Sequence, residues 1–217
     1  MMGRSRYLFT LMLGLSAAAC QSVPVVPALP PSAADAPPAS GSWRATATDP
    51  DKERIRGWYA SWDAALADAR AKGHGAEIDR EGVLLQPMAA LPNPHLPEGD
   101  YRCRTIKVGA KGRSSLSYIA YDWFRCRVAP EQGLSSLTKL TGSQRPVGLI
   151  FPDNLKRQIF LGTLELGDEK MAVNYGSDRM RDMAGLVERI GDNRWRLVLP
   201  APAYESLVDV IELVPAS

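Results

Sequence analysis

The sequence predicts a mainly β fold, a small antiparallel meander barrel or a strongly curved sheet, with one amphipathic helix ahead of the strands. A two-sheet sandwich is the alternative. Three observations carry this reading. Short segments rich in β-branched and aromatic residues, some plainly alternating, fill the chain from Asp100 onward. Turn-forming clusters separate them, so that successive strands pair as hairpins. A single stripe of large apolar residues at helical spacing precedes them, within residues 50–72.

The chain opens on a different kind of segment. Arg4 and Arg6, an apolar stretch from Tyr7 to Leu15, and small residues from Ser16 to Ala19 form the three parts of a cleavable export signal over residues 1–19. A short buried helix is the competing reading, but arginines heading an apolar run at an extreme terminus rarely join a core. The stretch Ala17-Ala18-Ala19-Cys20 resembles the bacterial lipobox, which makes Cys20 the lipidated first residue of the mature chain. A leucine is more usual where Ala17 stands, which leaves ordinary secretory cleavage as the alternative. Gln21, in place of an aspartate, resembles the sorting signal for the outer membrane, with the periplasmic side expected. After Cys20 come prolines at 24, 27, 30, 31, 37 and 38 and little that packs. Residues 20–42 therefore read as a lipidated cysteine and an extended tether. At about 3.1 Å per residue it reaches up to roughly 60 Å from the lipid.

A single globular domain is expected over residues 43–217. Its helix, 50–72, starts with Asp49 as N-cap, Pro50 at the first helical position and Asp51 in the first turn, and stops at Gly73. Ile55, Trp58, Tyr59, Trp62, Leu66 and Ala69 share one side of it. Packing against the domain is the plain account of Trp58 and Trp62; a ligand platform is the alternative. A Pro-rich stretch, Gln86 to Pro97, has no period of its own. Strands are then expected near 100–108, 116–128, 134–140, 145–151, 157–166, 183–190, 194–200 and 207–214. Turns fall at Gly109 to Arg113, Pro152-Asp153-Asn154 and Gly191-Asp192-Asn193. Alternation is clearest at the end, where Trp195, Leu197 and Leu199 project to a buried face and Arg194 and Arg196 to the other.

The cysteine count agrees with export. With Cys20 assigned to lipid, Cys103 and Cys126 remain as a pair in two strand-like segments that neighbour each other in an antiparallel ladder. A disulfide there closes a loop of about two dozen residues and contributes on the order of 3 kcal/mol; two free buried thiols are the alternative. No CxxC spacing occurs, and the chain holds two histidines, His74 and His95, in loop-like surroundings, so no metal site is expected. Loss of Arg4 and Arg6 with the signal lowers the 26 basic residues to 24, equal to the 24 acidic ones. A neutral mature protein lacks the electrostatic footprint of nucleic-acid binding.

Catalytic patterns are missing: no Gly-x-Ser-x-Gly elbow, no HExxH and no phosphate-cradling glycine loop with lysine occurs. No catalytic residue and no cofactor are assigned. Gly109-Ala110-Lys111-Gly112-Arg113-Ser114 is a basic glycine loop able to hold an anion on its amides, though a hairpin turn explains it without a ligand. Asp100, Asp122, Glu165 and Glu188 supply carboxylates for glycan hydrolysis. Nothing in their spacing selects a pair, and the arginines of the same strands explain them as cross-strand partners. Those arginines, with the strand aromatics, suggest a recognition face. Tyr101, Arg102, Arg104, Trp123 and Arg125, joined by Trp58 and Trp62 of the helix, are the candidate ligand- or partner-binding residues.

The passage Ala184-Gly185-Leu186-Val187-Glu188-Arg189-Ile190-Gly191, with Arg194 to Pro200 and Glu205-Ser206, resembles a family of bacterial envelope proteins, domain of unknown function 4893. The Trp-rich stretch Arg54 to Trp62 and Gly99 to Arg104 fit the same resemblance, which covers residues 43–215. It implies a fold and an exported location, and brings no activity to carry over. A weaker likeness is to small lipid-anchored barrels that inhibit hydrolases. The expected function is thus a non-enzymatic binding module of the outer membrane, for a small amphipathic ligand or an envelope protein partner. A periplasmic hydrolase inhibitor is the alternative, and a cell-wall glycan hydrolase ranks below it.

Overall fold

In a computed structural model of the protein, residues 41–112, 116–167 and 169–216 are described. The expected export signal, Cys20 and the expected tether up to residue 40 lie outside the described residues, as do Arg113 and Ser114 of the basic glycine loop.

The helical region is more divided than one amphipathic period suggests. After a short helix α1 (Trp43–Thr46), α2 runs Asp49–Arg56 and α3 runs Trp58–Ala71. The expected helix of 50–72 is therefore broken at Gly57, whose φ/ψ of −85°/6° ends α2 with its N–H on the Glu53 carbonyl. Glycine has the weakest helix propensity after proline, and the kink lets α2 lie on one strand while α3 crosses others. The N-cap is Thr48 and not Asp49: Thr48 Oγ1 accepts the Asp51 N–H at 3.4 Å, and Pro50 sits in the first turn, where its missing N–H costs nothing. Gly73, at φ +94°, provides the stop beyond α3. Helix α4 (Gly75–Glu81) and a 3-10 turn (Gly82–Leu85) follow, both too short to show a period.

Among the described residues nine strands come next: β1 (Gly99–Ala110), β2 (Tyr118–Ala120), β3 (Phe124–Glu131), β4 (Leu134–Lys139), β5 (Gln144–Asn154), β6 (Arg157–Leu166), β7 (Asp182–Gly191), β8 (Arg194–Pro200) and β9 (Ser206–Pro215). Every pairing is antiparallel: β3 to β9 pair in chain order, β1 pairs with β3, and β9 returns to β1 over a long register, Tyr101 to Ala110. Eight strands thus close into a meander barrel, and β2 is an extra strand on β1. The expected strand of 116–128 is two strands, split at Tyr121-Asp122-Trp123. Closure removes the free edges that the two-sheet sandwich would have kept.

Alternation sorts the strand residues into two cores. Tyr101, Cys103, Cys126, Leu137, Ile150, Phe160, Val187, Trp195, Leu197, Ile211 and Leu213 fill the barrel. Ile106, Val108, Ile159, Leu161, Leu186, Val198, Val208 and Val210 point outward and are covered by Trp43, Ile55, Trp62, Ala65, Ala69, Ile78 and Leu84 of the helical layer. The aromatic stripe of the helix therefore covers the outside of the barrel. Arg196 does not reach solvent as an outward arginine was expected to: it is fully buried beneath that layer. It bonds Glu188, also fully buried, and gives N–H groups to the carbonyls of Val83, Leu84, Gln86 and Pro87. A guanidinium fork is the group that can satisfy so many acceptors while paired.

Inward glycines allow the tight curvature. Gly148 and Gly162 face each other across β5 and β6, and a Cβ on Gly162 would lie 2.3 Å from the Val147 carbonyl oxygen. The disulfide between Cys103 and Cys126 is formed, with Cα atoms 5.9 Å apart, and joins β1 to β3 at the limit of their pairing.

Candidate functional site: the open end of the barrel

The two ends of the barrel differ. One end is sealed. Leu96, from the Pro-rich stretch, is 1% exposed, the Trp195 indole N–H donates to the His95 carbonyl at 3.0 Å, and the Tyr101 hydroxyl donates to the Pro97 carbonyl at 2.7 Å. The Tyr101 and Trp195 rings meet edge to face, 6.2 Å between centroids, and complete the plug.

At the other end the wall parts. β3 pairs with β1 only from Gly99 to Cys103; beyond that, β1 is joined by the extra strand β2 at Ile106 to Val108. A cavity of about 310 Å³ opens there, near the lower end of the size range of small-molecule sites. Phe124, Pro146, Leu164, Met183, Leu199 and Ile211 form its apolar wall, and Tyr121, Met180 and Tyr204 are partly exposed at its rim.

The cavity also carries charge, placed by strand alternation. Lys107 follows Tyr101, Cys103 and Thr105 along the inner face of β1, Lys139 follows Leu137 on β4, and Asp209 precedes Ile211 and Leu213 on β9. Lys107 Nζ lies 3.0 Å from Asp209 Oδ2 and 3.2 Å from Glu205 Oε2. Burial acts to lower its pKa, but the two carboxylates outweigh this and the ammonium is held above its usual range. Asp209 also accepts the Ser206 hydroxyl.

Lys139 is situated differently. It is 5% exposed, its Nζ donates to the Gln144 carbonyl at 2.8 Å, and it lies 3.7 Å from the centroid of the Phe124 ring. Among the described residues no carboxylate pairs with it. Burial, reinforced by the charges of Arg145 and Lys107, lowers its pKa to about 8.

The candidate residues chosen from sequence fall elsewhere. Tyr101 belongs to the sealed end. Trp62 is 0% exposed between α3 and the barrel, with the Arg196 guanidinium 4.5 Å from its ring. Trp58 is half-buried beneath Arg157, at 4.0 Å. Arg102, Arg104, Trp123 and Arg125 do come together, on the outside of β1 and β3: Arg102 and Arg125 are register partners, and Arg102 and Arg104 lie 4.9 and 5.4 Å from the Trp123 ring. Arg104 is committed to Glu81 and Glu212. None of the seven lines the cavity. Lys107, Lys139 and Asp209 were missed, although each is a charge at a position where its strand's alternation calls for an apolar residue. The carboxylates considered for hydrolysis are dispersed: Asp100 pairs with Arg127, Glu165 with Arg145, and Glu188 with Arg157 and Arg196.

An antiparallel barrel plugged at one end, open at the other and clad in helices on its flank is a small cavity-bearing barrel domain. The chain belongs to the family described as domain of unknown function DUF4893, whose model matches residues 43–213. No curated protein and no solved structure matches it.

Proposed function

We propose that this protein is a non-enzymatic binding module that takes a small amphipathic ligand into the open end of its barrel, while a lipid on Cys20 and the tether hold it at the outer membrane, facing the periplasm. The observation that carries the reading is the cavity itself: about 310 Å³, walled by Phe124, Pro146, Leu164, Met183, Leu199 and Ile211, with polar groups at a few fixed positions. Apolar walls with sparse, placed polar groups are the usual make-up of small-molecule sites. The export signal and lipobox of residues 1–20 support the location, and so does the Cys103–Cys126 disulfide, a bond that persists in oxidising compartments.

The test is uptake of an uncharged fluorescent amphiphile, phenylnaphthylamine, by the full-length protein and by Thr105→Trp, in which an indole is placed on the cavity wall. Saturable uptake by the wild type, lost in a Thr105→Trp protein with an unchanged melting curve, is expected. No uptake by the wild type, or equal uptake by both, removes the cavity as a ligand site. Location is tested separately, by palmitate labelling and membrane fractionation of wild type beside Cys20→Ala; label and membrane association should both disappear in the variant.

A further inference from the structure

The cavity holds one buried ammonium that no described carboxylate pairs with; its lining carboxylates are Asp209, bound by Lys107, and Asp182, which accepts the Gly176 N–H on one oxygen and has the other unpartnered. Four cationic side chains line it, Arg54, Lys107, Lys139 and Arg181. Arg54 is paired with Asp51, Lys107 with Asp209 and Glu205, and Arg181 with Glu169. Lys139 alone of the four has no carboxylate partner among the described residues. The charges that act on it are of its own sign: Lys107 on β1 and Arg145 on β5 are both cationic, and the carboxylates that face them are already engaged, Asp209 and Glu205 by Lys107 and Glu165 by Arg145. Burying an ammonium without a counter-ion is costly, and one carbonyl and one ring face return only part of its hydration. One of its three N–H groups goes to Gln144. The others have no acceptor among the described residues, in a cavity large enough to admit a molecule.

We infer that the missing counter-ion is the ligand: the open end of the barrel binds an amphipathic anion, its carboxylate or phosphate head on the Lys139 ammonium and its apolar stem along Phe124, Leu164 and Leu199. The inference rests on the reading of this cavity as a ligand site and names the chemistry of what enters it. A paired lysine would repel nothing and select nothing. An unpaired one in an apolar cavity favours an anionic head over a neutral one and rejects a cationic one.

The experiment compares four probes sharing one stem, octanoate, octyl phosphate, octanol and octylamine, titrated into the full-length protein by calorimetry, with Lys139→Met and Lys139→Arg beside the wild type. Octanoate or octyl phosphate is expected to bind about tenfold to a hundredfold more tightly than octanol, the range of a charge-assisted bond, and octylamine most weakly. Whichever anion binds better identifies the head as carboxylate or phosphate. Lys139→Met should remove the preference for the anions over octanol, and Lys139→Arg should keep most of it. Affinity for octanoate should fall as pH rises above about 8, where the empty site loses its proton. Octanol binding as tightly as the anions, or anion binding indifferent to Lys139→Met, overturns the inference and leaves the cavity a neutral ligand site. If neither the four probes nor phenylnaphthylamine binds, the proposed function fails with it.

Discussion

Lys139 is at odds with the energetics of its own fold, and this makes it testable without any ligand. A base whose pKa is about 8 in the folded protein and 10.5 when unfolded is protonated in both states below pH 8, so the folded state there bears the full burial penalty. Between about 8 and 10.5 the folded state gives up its proton while the unfolded state keeps it. The unfolded state then binds more protons, and stability rises with pH. Lys139→Met, of similar shape and uncharged, should therefore be more stable than wild type near neutral pH, by about 1–3 kcal/mol, with the gain shrinking as pH approaches about 10. Urea midpoints at the two pH values decide it; a variant less stable at neutral pH would mean that the ammonium is well solvated. Arg196 is the opposite case. Removing it strands Glu188 beside Arg157 alone and takes a donor from the carbonyls of Val83, Leu84, Gln86 and Pro87, of which those of Val83 and Gln86 keep a backbone N–H. Arg196→Met should cost about 3–5 kcal/mol, and Arg196→Lys should not restore it, because an ammonium cannot span that set of acceptors. Chemical denaturation of both variants measures this.

At the scale of elements, much of the fold is legible because alternation and turn chemistry are local signals. The strands from β4 to β9 lie within a few residues of where the sequence places them, and Trp195, Leu197 and Leu199 face the barrel interior as their spacing requires. The break at Gly57 was not legible, since the apolar period runs through it and the reason for it is tertiary: α2 packs on β7, α3 on β1 and β9. The same holds for Arg196, whose outward position was readable but whose burial depends on a 3-10 turn more than a hundred residues earlier. The cavity was not legible for a related reason. Arginines and exposed aromatics signal a recognition face by composition alone, whereas Lys139 becomes informative only once closure puts it inside. The inward glycines are a further element-scale device. Gly162→Ala puts a methyl carbon 2.3 Å from the Val147 carbonyl oxygen and 2.7 Å from the Gly148 Cα, both backbone atoms that cannot step aside. A loss of about 3 kcal/mol, the upper end for overpacking, is expected in thermal melts. Gly75→Ala in α4, where the nearest atom is a flexible Arg70 nitrogen at 3.6 Å, should be neutral or slightly stabilising.

For the molecule as a whole, the seam between β1 and β3 decides whether the sheet is a barrel. β1 shares nine register pairs with β9 and five with β3, and the cavity begins where those five end. Cys103 and Cys126 bridge the two strands at that limit, so the disulfide fastens a short closure of the barrel directly below its mouth. By loop entropy alone, for a separation of 23 residues, Cys103→Ala with Cys126→Ala should cost about 3 kcal/mol in urea denaturation of the oxidised wild type against the variant. The position of the bond predicts more than its loop length does. If it fastens the seam, the loss is local: amides of Asp100 to Cys103 and of Cys126 to Val128 should exchange with solvent much faster in the double variant, while those of Leu197 to Leu199, between β7 and β9, keep their protection. A uniform loss of protection across the barrel would show that the bond acts on the unfolded chain alone. A local loss accompanied by weaker octanoate binding would join the disulfide to the cavity, because Thr105 and Lys107 line the mouth from the stretch of β1 just past Cys103 and Phe124 lines it from the start of β3.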